Sequence, residues 1–145
     1  MRKVLIVGLT IMLATFSSFA QRKEVIYVNA SSGEDGAAGS QAAPLKTLTE
    51  AAKRVNKLVG KGSIKVLLSE GTYGLAETAA FNPVQWEFSN QDRLEIRAEI
   101  LPDSSVWEPN KMPIIVSTMP FKIERDDKKI ITGGSNYGIL IENSH

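Results

Sequence analysis

Cysteine is absent from this 145-residue chain, and histidine occurs once, as the terminal His145. The first absence excludes disulfide staples, thiol nucleophiles, cysteine zinc sites and iron–sulfur clusters. The second removes the Ser-His-Asp arrangement and histidine-rich metal sites, because a catalytic base must be held in place and a chain terminus frays. Charge of one sign is lacking too: 17 Lys and Arg stand against 16 Asp and Glu. Without a clustered excess of basic residues, nucleic acid is not an expected partner. Beyond residue 20 no apolar run is long enough to span a bilayer.

What is present begins with a leader. Met1-Arg2-Lys3 is basic, Val4 to Phe16 is a 13-residue apolar run, and Ser17-Ser18-Phe19-Ala20 places small residues at the −3 and −1 positions. A spanning helix needs ~18 apolar residues or more, so residues 1–20 read as a cleaved secretory signal peptide, with Gln21 the first mature residue. The expectation is an exported protein, periplasmic, outer-surface or extracellular, with no membrane attachment after cleavage. Cleavage removes two basic residues and no acidic one, leaving a net charge of −1. An exported domain without disulfides fits a bacterial envelope protein better than a small eukaryotic secreted one.

The mature chain, 21–145, has room for one domain. Val25-Ile-Tyr-Val28 is β-branched and aromatic and predicts a strand. Asn29 to Ala43 is a Gly, Ser and Asp loop. Leu45, Leu48, Ala51, Ala52, Val55 and Leu58 recur at helical spacing. Thr47 and Glu50 form a capping-box pattern, Lys57 suits the last turn, and Gly60 is placed to stop the helix. Strands are predicted at Ile64–Leu68, at Gly71–Tyr73 after a turn, at Val84–Phe88, Leu94–Ala98 and Met112–Val116. Met119-Pro-Phe121 could extend that wall. Glu124 to Lys129 reads as a solvated loop, and Ile130–Thr132 with Tyr137–Ile141 ends the pattern. A single helix among short strands argues against a doubly wound sheet, which needs helices between strands; a β-sandwich stays open, although a parallel solenoid with a helical cap explains the helix's position better.

Tyr27-Val28, Gly33-Glu34-Asp35-Gly36, Pro44-Leu45-Lys46-Thr47-Leu48, Ala51-Ala52, Val66-Leu67-Leu68 and Gly71-Thr72-Tyr73 stand in a fixed order. That order resembles the N-terminal cap and first coil of right-handed parallel β-helix proteins of the pectin-lyase-like superfamily, reasonably over residues 25–116 and only loosely over 117–145. The resemblance implies a mainly β fold: the start of a right-handed parallel β-helix, or solenoid, with an N-terminal capping α-helix. Solenoids gain stability from roughly three or more stacked repeats, so 21–145 is expected to be the cap and opening coil or coils of an incomplete domain, its last strand an uncovered edge.

The function so implied is the N-terminal part of an exported carbohydrate-active protein, of polysaccharide lyase or glycoside hydrolase type, with catalytic coils absent and this chain alone inactive. The alternatives are a non-catalytic β-helix surface, adhesin or glycan-binding module, and an inactive truncated remnant. Polysaccharide is a possible partner, and oligomeric state is left open. Lyases of this fold use a basic residue to remove a proton beside a uronate carboxylate that a cation neutralises, so calcium is possible in a full-length relative. Lys65, Arg93 and Arg97 are basic residues on or beside strands, but alternation makes them outward-facing charges. Glu34, Asp35, Asp126 and Asp127 lack the spacing of a calcium loop and read as solvated turns. Thr132-Gly-Gly-Ser-Asn136 lacks the Gly-Lys-Ser/Thr ending of a phosphate loop. Trp86, Trp107 and Tyr137 could stack on sugar rings, although packing is the commoner use of such residues. No catalytic, cofactor-binding or metal-binding residue is assigned, and no cofactor is expected in this chain.

Overall fold

The computed structural model describes residues 22–118, 122–126, 129–133 and 138–143. Strand β1 spans Arg22–Val28, helix α1 Leu48–Asn56, β2 Gly60–Leu68, β3 Gly71–Leu75, β4 Ala79–Phe81 and β5 Trp86–Glu87. There follow β6 Leu94–Ala98, a 3-10 turn at Pro109–Lys111, β7 Pro113–Ser117, β8 Lys122–Asp126, β9 Lys129–Gly133 and β10 Ile139–Ile141. The strands divide among four separate sheets. In the largest, β2 pairs in parallel with β1, β5 and β6. The pairs β3–β7 and β4–β10 are parallel, and β8–β9 is antiparallel.

Mainly-β character is therefore present, but the expected β-helix with its N-terminal capping helix is not. The sheets are separate and unclosed, and the helix is internal, following β1 and preceding β2. Two features of the chain work against a continuous coil. The link from β6 to β7 takes residues 99–112 and folds its own 3-10 turn, and the β8–β9 hairpin interrupts the path from β7 to β10. The reading of 124–129 as a solvated loop is corrected by that same hairpin, in which Asp126 registers with Lys129.

The helix forms where its apolar period lies. Leu48, Ala51, Ala52 and Val55 are buried in one core with Ile64, Val66, Tyr73, Leu75, Ala79 and Phe81. Its start is half of the expected capping box. Thr47 Oγ1 accepts from the Glu50 backbone N–H at 3.1 Å. The reciprocal partner is Asp35, whose Oδ1 accepts from Thr47 N at 2.8 Å and Lys46 N at 3.0 Å. Glu50 turns instead to Arg54, four residues on, at 2.7 Å. The helix also stops earlier than Gly60 suggested, with Lys57 as its C-cap. Gly60 opens β2 at φ +149° and lies under the Trp86 ring.

Leu45 shares the helical spacing but belongs to an extended bridge with Val28. Pro44 fixes the backbone just before it and restrains residue 43 to extended geometry. Tyr27 N–H donates to Gly39 O at 2.8 Å, Leu45 N–H to Tyr27 O at 2.9 Å, and Asn29 N–H to Leu45 O at 2.8 Å. The end of the outer edge of β1, at Tyr27, is thereby covered by its own loop. Gly33 permits that fit, since a Cβ there would lie 2.1 Å from Leu45 O.

Candidate functional site

The opposite edge of the same sheet belongs to β6. Its sequence, Leu-Glu-Ile-Arg-Ala, alternates as a half-buried strand does. In register, Leu94 lies beside Ile64, Ile96 beside Val66 and Ala98 beside Leu68, all turned to the core. Glu95 and Arg97 lie beside Lys65 and Leu67 on the outer face. There Glu95 joins two cations, with Lys65 Nζ at 3.1 Å and Arg97 Nε at 3.1 Å. Glu99, just past the strand, accepts from Ser69 Oγ at 2.9 Å and Gln41 Nε2 at 3.2 Å. Before the strand, buried Asp92 accepts from Ser63 Oγ at 2.8 Å and Ser89 Oγ at 2.6 Å, which pins the entry loop to β2.

Backbone bonding fixes which groups of β6 face outward along the edge. Ile64 N–H donates to Arg93 O at 3.1 Å, and Glu99 N–H donates to Leu68 O at 2.8 Å. In a parallel ladder alternate residues serve one neighbour, so Arg93, Glu95, Arg97 and Glu99 bond toward β2. Leu94, Ile96 and Ala98 therefore aim their N–H and C=O groups away from it. Among the described residues β6 pairs with β2 alone.

Strands β7 and β10, each in a sheet of its own, also carry exposed apolar residues. Ile115 registers with Tyr73 and Ile141 with Phe81, so both share the side of a buried neighbour. Yet Ile115 is 41% and Ile141 46% exposed, where Tyr73 and Phe81 are 3% and 0%. On the other side of β7, Ile114 and Val116 are exposed as well. At the far corner Asn82 holds the end of β10 through hydrogen bonds with Asn143 and Glu142.

The residues singled out from sequence fall as follows. Lys65 and Arg97 come together through Glu95 as outward charges, in keeping with strand alternation, and neither is gathered with a second acid into a catalytic pair. Arg93 lines a shallow groove with Lys23, Ser63 and Asp92. Asp35 braces the helix start, while Glu34 is an exposed turn residue whose N–H donates to Pro44 O. Trp86 is core, its Nε1 donating to Gly62 O at 2.7 Å. Trp107 is half-buried, with its Nε1 buried and without a hydrogen-bond partner. Asp126 ends β8 and Thr132 and Gly133 belong to β9; Asp127, Gly134, Ser135, Asn136, Tyr137, His145 and the leader 1–20 lie outside the described residues. Among the described residues no group of three His, Cys, Asp or Glu side chains could hold a metal ion, and no helix is long and apolar enough to cross a membrane.

Sequence reasoning treated the edge of β6 as part of a wall and missed it as a site. The signal available was the charge order Glu95-Ile96-Arg97. No protein-family model and no curated protein matches the chain. The pectin-lyase-like identity and the carbohydrate-active function drawn from it, with the β-helix alternatives, are thus corrected. They have no support from relatives, and the unclosed sheets lack the architecture on which they rested.

Proposed function

We propose that this chain is an exported association module, which works by joining another protein surface along the uncovered side of its second row of strands, β6, β7 and β10. One observation carries the reading: Ile115 and Ile141 occupy core-facing positions in register with buried residues and are themselves exposed. Covering such core-facing side chains with another surface gains about 25 cal/mol per Å² of apolar area removed from water. Export rests on the leader pattern at residues 1–20, with delivery to the periplasm, the outer surface or the medium.

An apolar fluorescent dye tests the association surface. The purified protein is expected to bind it, and Ile115→Asp and Ile141→Asp to lower both dye binding and any self- or hetero-association. A protein that binds no dye, or variants that bind as much as the parent, would remove the reading. Mass spectrometry of the recovered protein tests export, with a start at Gln21 expected; retention of residues 1–20 speaks against it.

A further inference from the structure

The geometry points to a second copy of this chain as the occupant of the β6 edge, paired antiparallel across a two-fold axis at Ile96. This rests on the association reading above and names its partner. The argument begins with the five residues of the strand. Laid antiparallel on itself with Ile96 opposite Ile96, Leu94-Glu95-Ile96-Arg97-Ala98 sets Leu94 against Ala98 and Glu95 against Arg97 of the other copy. Both charged positions then meet an opposite charge, twice over because the interface is isologous. Apolar residues meet apolar residues at every other position.

The backbone agrees with that register independently. Ile96 has its N–H and C=O aimed away from β2, as the bonds at Arg93 and Glu99 require. An Ile96–Ile96 pair would exchange both hydrogen bonds, and the two Leu94–Ala98 pairs would do the same once Arg97 Nη1, which now donates to Ala98 O at 3.0 Å, turns to the facing Glu95. Glu95 and Arg97 then fall at non-hydrogen-bonded positions, where facing side chains come closest. A slip by one residue would bring Glu95 onto Ile96 and lose the match. Rotation about an axis normal to the sheet keeps each face on its own side. The charges stay in solvent, while Leu94 and Ile96 of both copies stay turned to the apolar side. On the opposite edge, residues 39–45 already bond to β1 at Tyr27, so the end of that strand is taken.

Sedimentation equilibrium of the purified protein tests this pairing. The parent is expected to be a concentration-dependent dimer. Glu95→Arg sets two guanidinium groups against each other across the axis, the new one and that of Arg97 in the other copy. Arg97→Glu sets two carboxylates against each other in the same way. Each substitution alone should therefore weaken the dimer at least about tenfold. Mixed in equal amounts, the two variants present complementary edges, and the dimer should return as a heterodimer. That recovery would also show that both variants fold. A parent that stays monomeric at ~100 μM, well above the micromolar affinities of standard-size interfaces, overturns the pairing, as do single variants that dimerise like the parent. If the charge variants leave association unchanged while Ile115→Asp abolishes it, the β6 pairing fails and the association module stands. If neither changes it, both fall.

Discussion

Strands β2, β3 and β4 form one row and their parallel partners β6, β7 and β10 a second, each pair in its own sheet and register, and the rows differ in what covers them. In the first row Ile64, Val66, Tyr73, Leu75, Ala79 and Phe81 are closed off, below by α1 and β1 and on the other side by the second row. In the second row the matching positions are Leu94, Ile96, Ile115, Ser117, Ile139 and Ile141, of which Ile115, Ser117 and Ile141 are exposed and the other three half-buried. The side chains of the two rows are alike in character at most positions. Burial here is decided by having neighbours on both sides, a property of topology rather than of residue type. The two edges of the main sheet differ as well: the end of β1 bonds to its own loop at Tyr27, whereas among the described residues β6 pairs with β2 alone.

Truncating a matched pair gives the largest expected effect. Phe81→Ala should cost about 3–5 kcal/mol, because a fully buried ring leaves a cavity that the helix and β3 cannot close. Ile141→Ala, in register beside it, should cost less than about 1.5 kcal/mol, since solvent already reaches that side chain. Urea unfolding of the two variants under monomeric conditions reads the difference. Equal losses would mean that the second row is covered in solution by something the isolated chain supplies.

The first row was the legible part. Strand β2, the apolar face of α1 and the Thr47 cap follow from period and capping chemistry that act within a few residues. Leu45 shows where that reasoning stops. Its spacing fits the helix face, but its hydrogen bonds are to β1, a contact across sixteen or more residues that no local pattern records. The hairpin β8–β9 was hidden for another reason: a run of charged residues reads as a solvated loop, and strand pairing between segments is not written in that composition. The expected solenoid failed on closure. The order of short motifs can indicate which strands are parallel neighbours, but the fourteen-residue link before β7 and the inserted hairpin determine whether sheets join into a coil. The charge order at Glu95 and Arg97 was visible throughout. Its meaning needed the ladder phase at Arg93 and Glu99, which only the fold supplies.

A second test uses pH. The Tyr73 hydroxyl lies within 2.9 Å of both Val28 O and Ser69 O, and burial above all raises its pKa above the ordinary 10.0. Nearby Glu99 adds to the rise, while backbone hydrogen bonds act against it. The folded state therefore keeps its proton at pH values where the unfolded chain has released it. That stability is fully present below pH 10.0 and is lost as pH rises from there through the folded pKa. Tyr73→Phe should cost about 1–1.5 kcal/mol at neutral pH, for the lost hydrogen bond. It should also flatten the decline above pH 10.0. Its second-row partner Ile115 has no titrating group, so Ile115→Ala should leave the alkaline decline as steep as in the parent.

The two tryptophans give the smallest and sharpest version of the contrast. Trp86 serves the first row: its ring packs on Gly60, and its Nε1 is bonded to Gly62 O inside the core. Gly62 itself tolerates no side chain, because a Cβ would lie 2.0 Å from Arg22 O in a backbone at φ +125°. The Trp86 bond thus ties the start of β2 at the point where β1 comes closest. Trp107 belongs to the link between β6 and β7 and buries an N–H that has no partner. Replacing an unsatisfied buried donor with carbon removes a desolvation cost, whereas removing a bonded donor strands its acceptor. Trp86→Phe should therefore destabilise by about 1–2 kcal/mol, and Trp107→Phe should be neutral or stabilise by a few tenths. Thermal unfolding of the pair under identical conditions measures that difference. A Trp107→Phe loss as large as that of Trp86→Phe would show that the indole N–H of Trp107 finds an acceptor once the second row is covered.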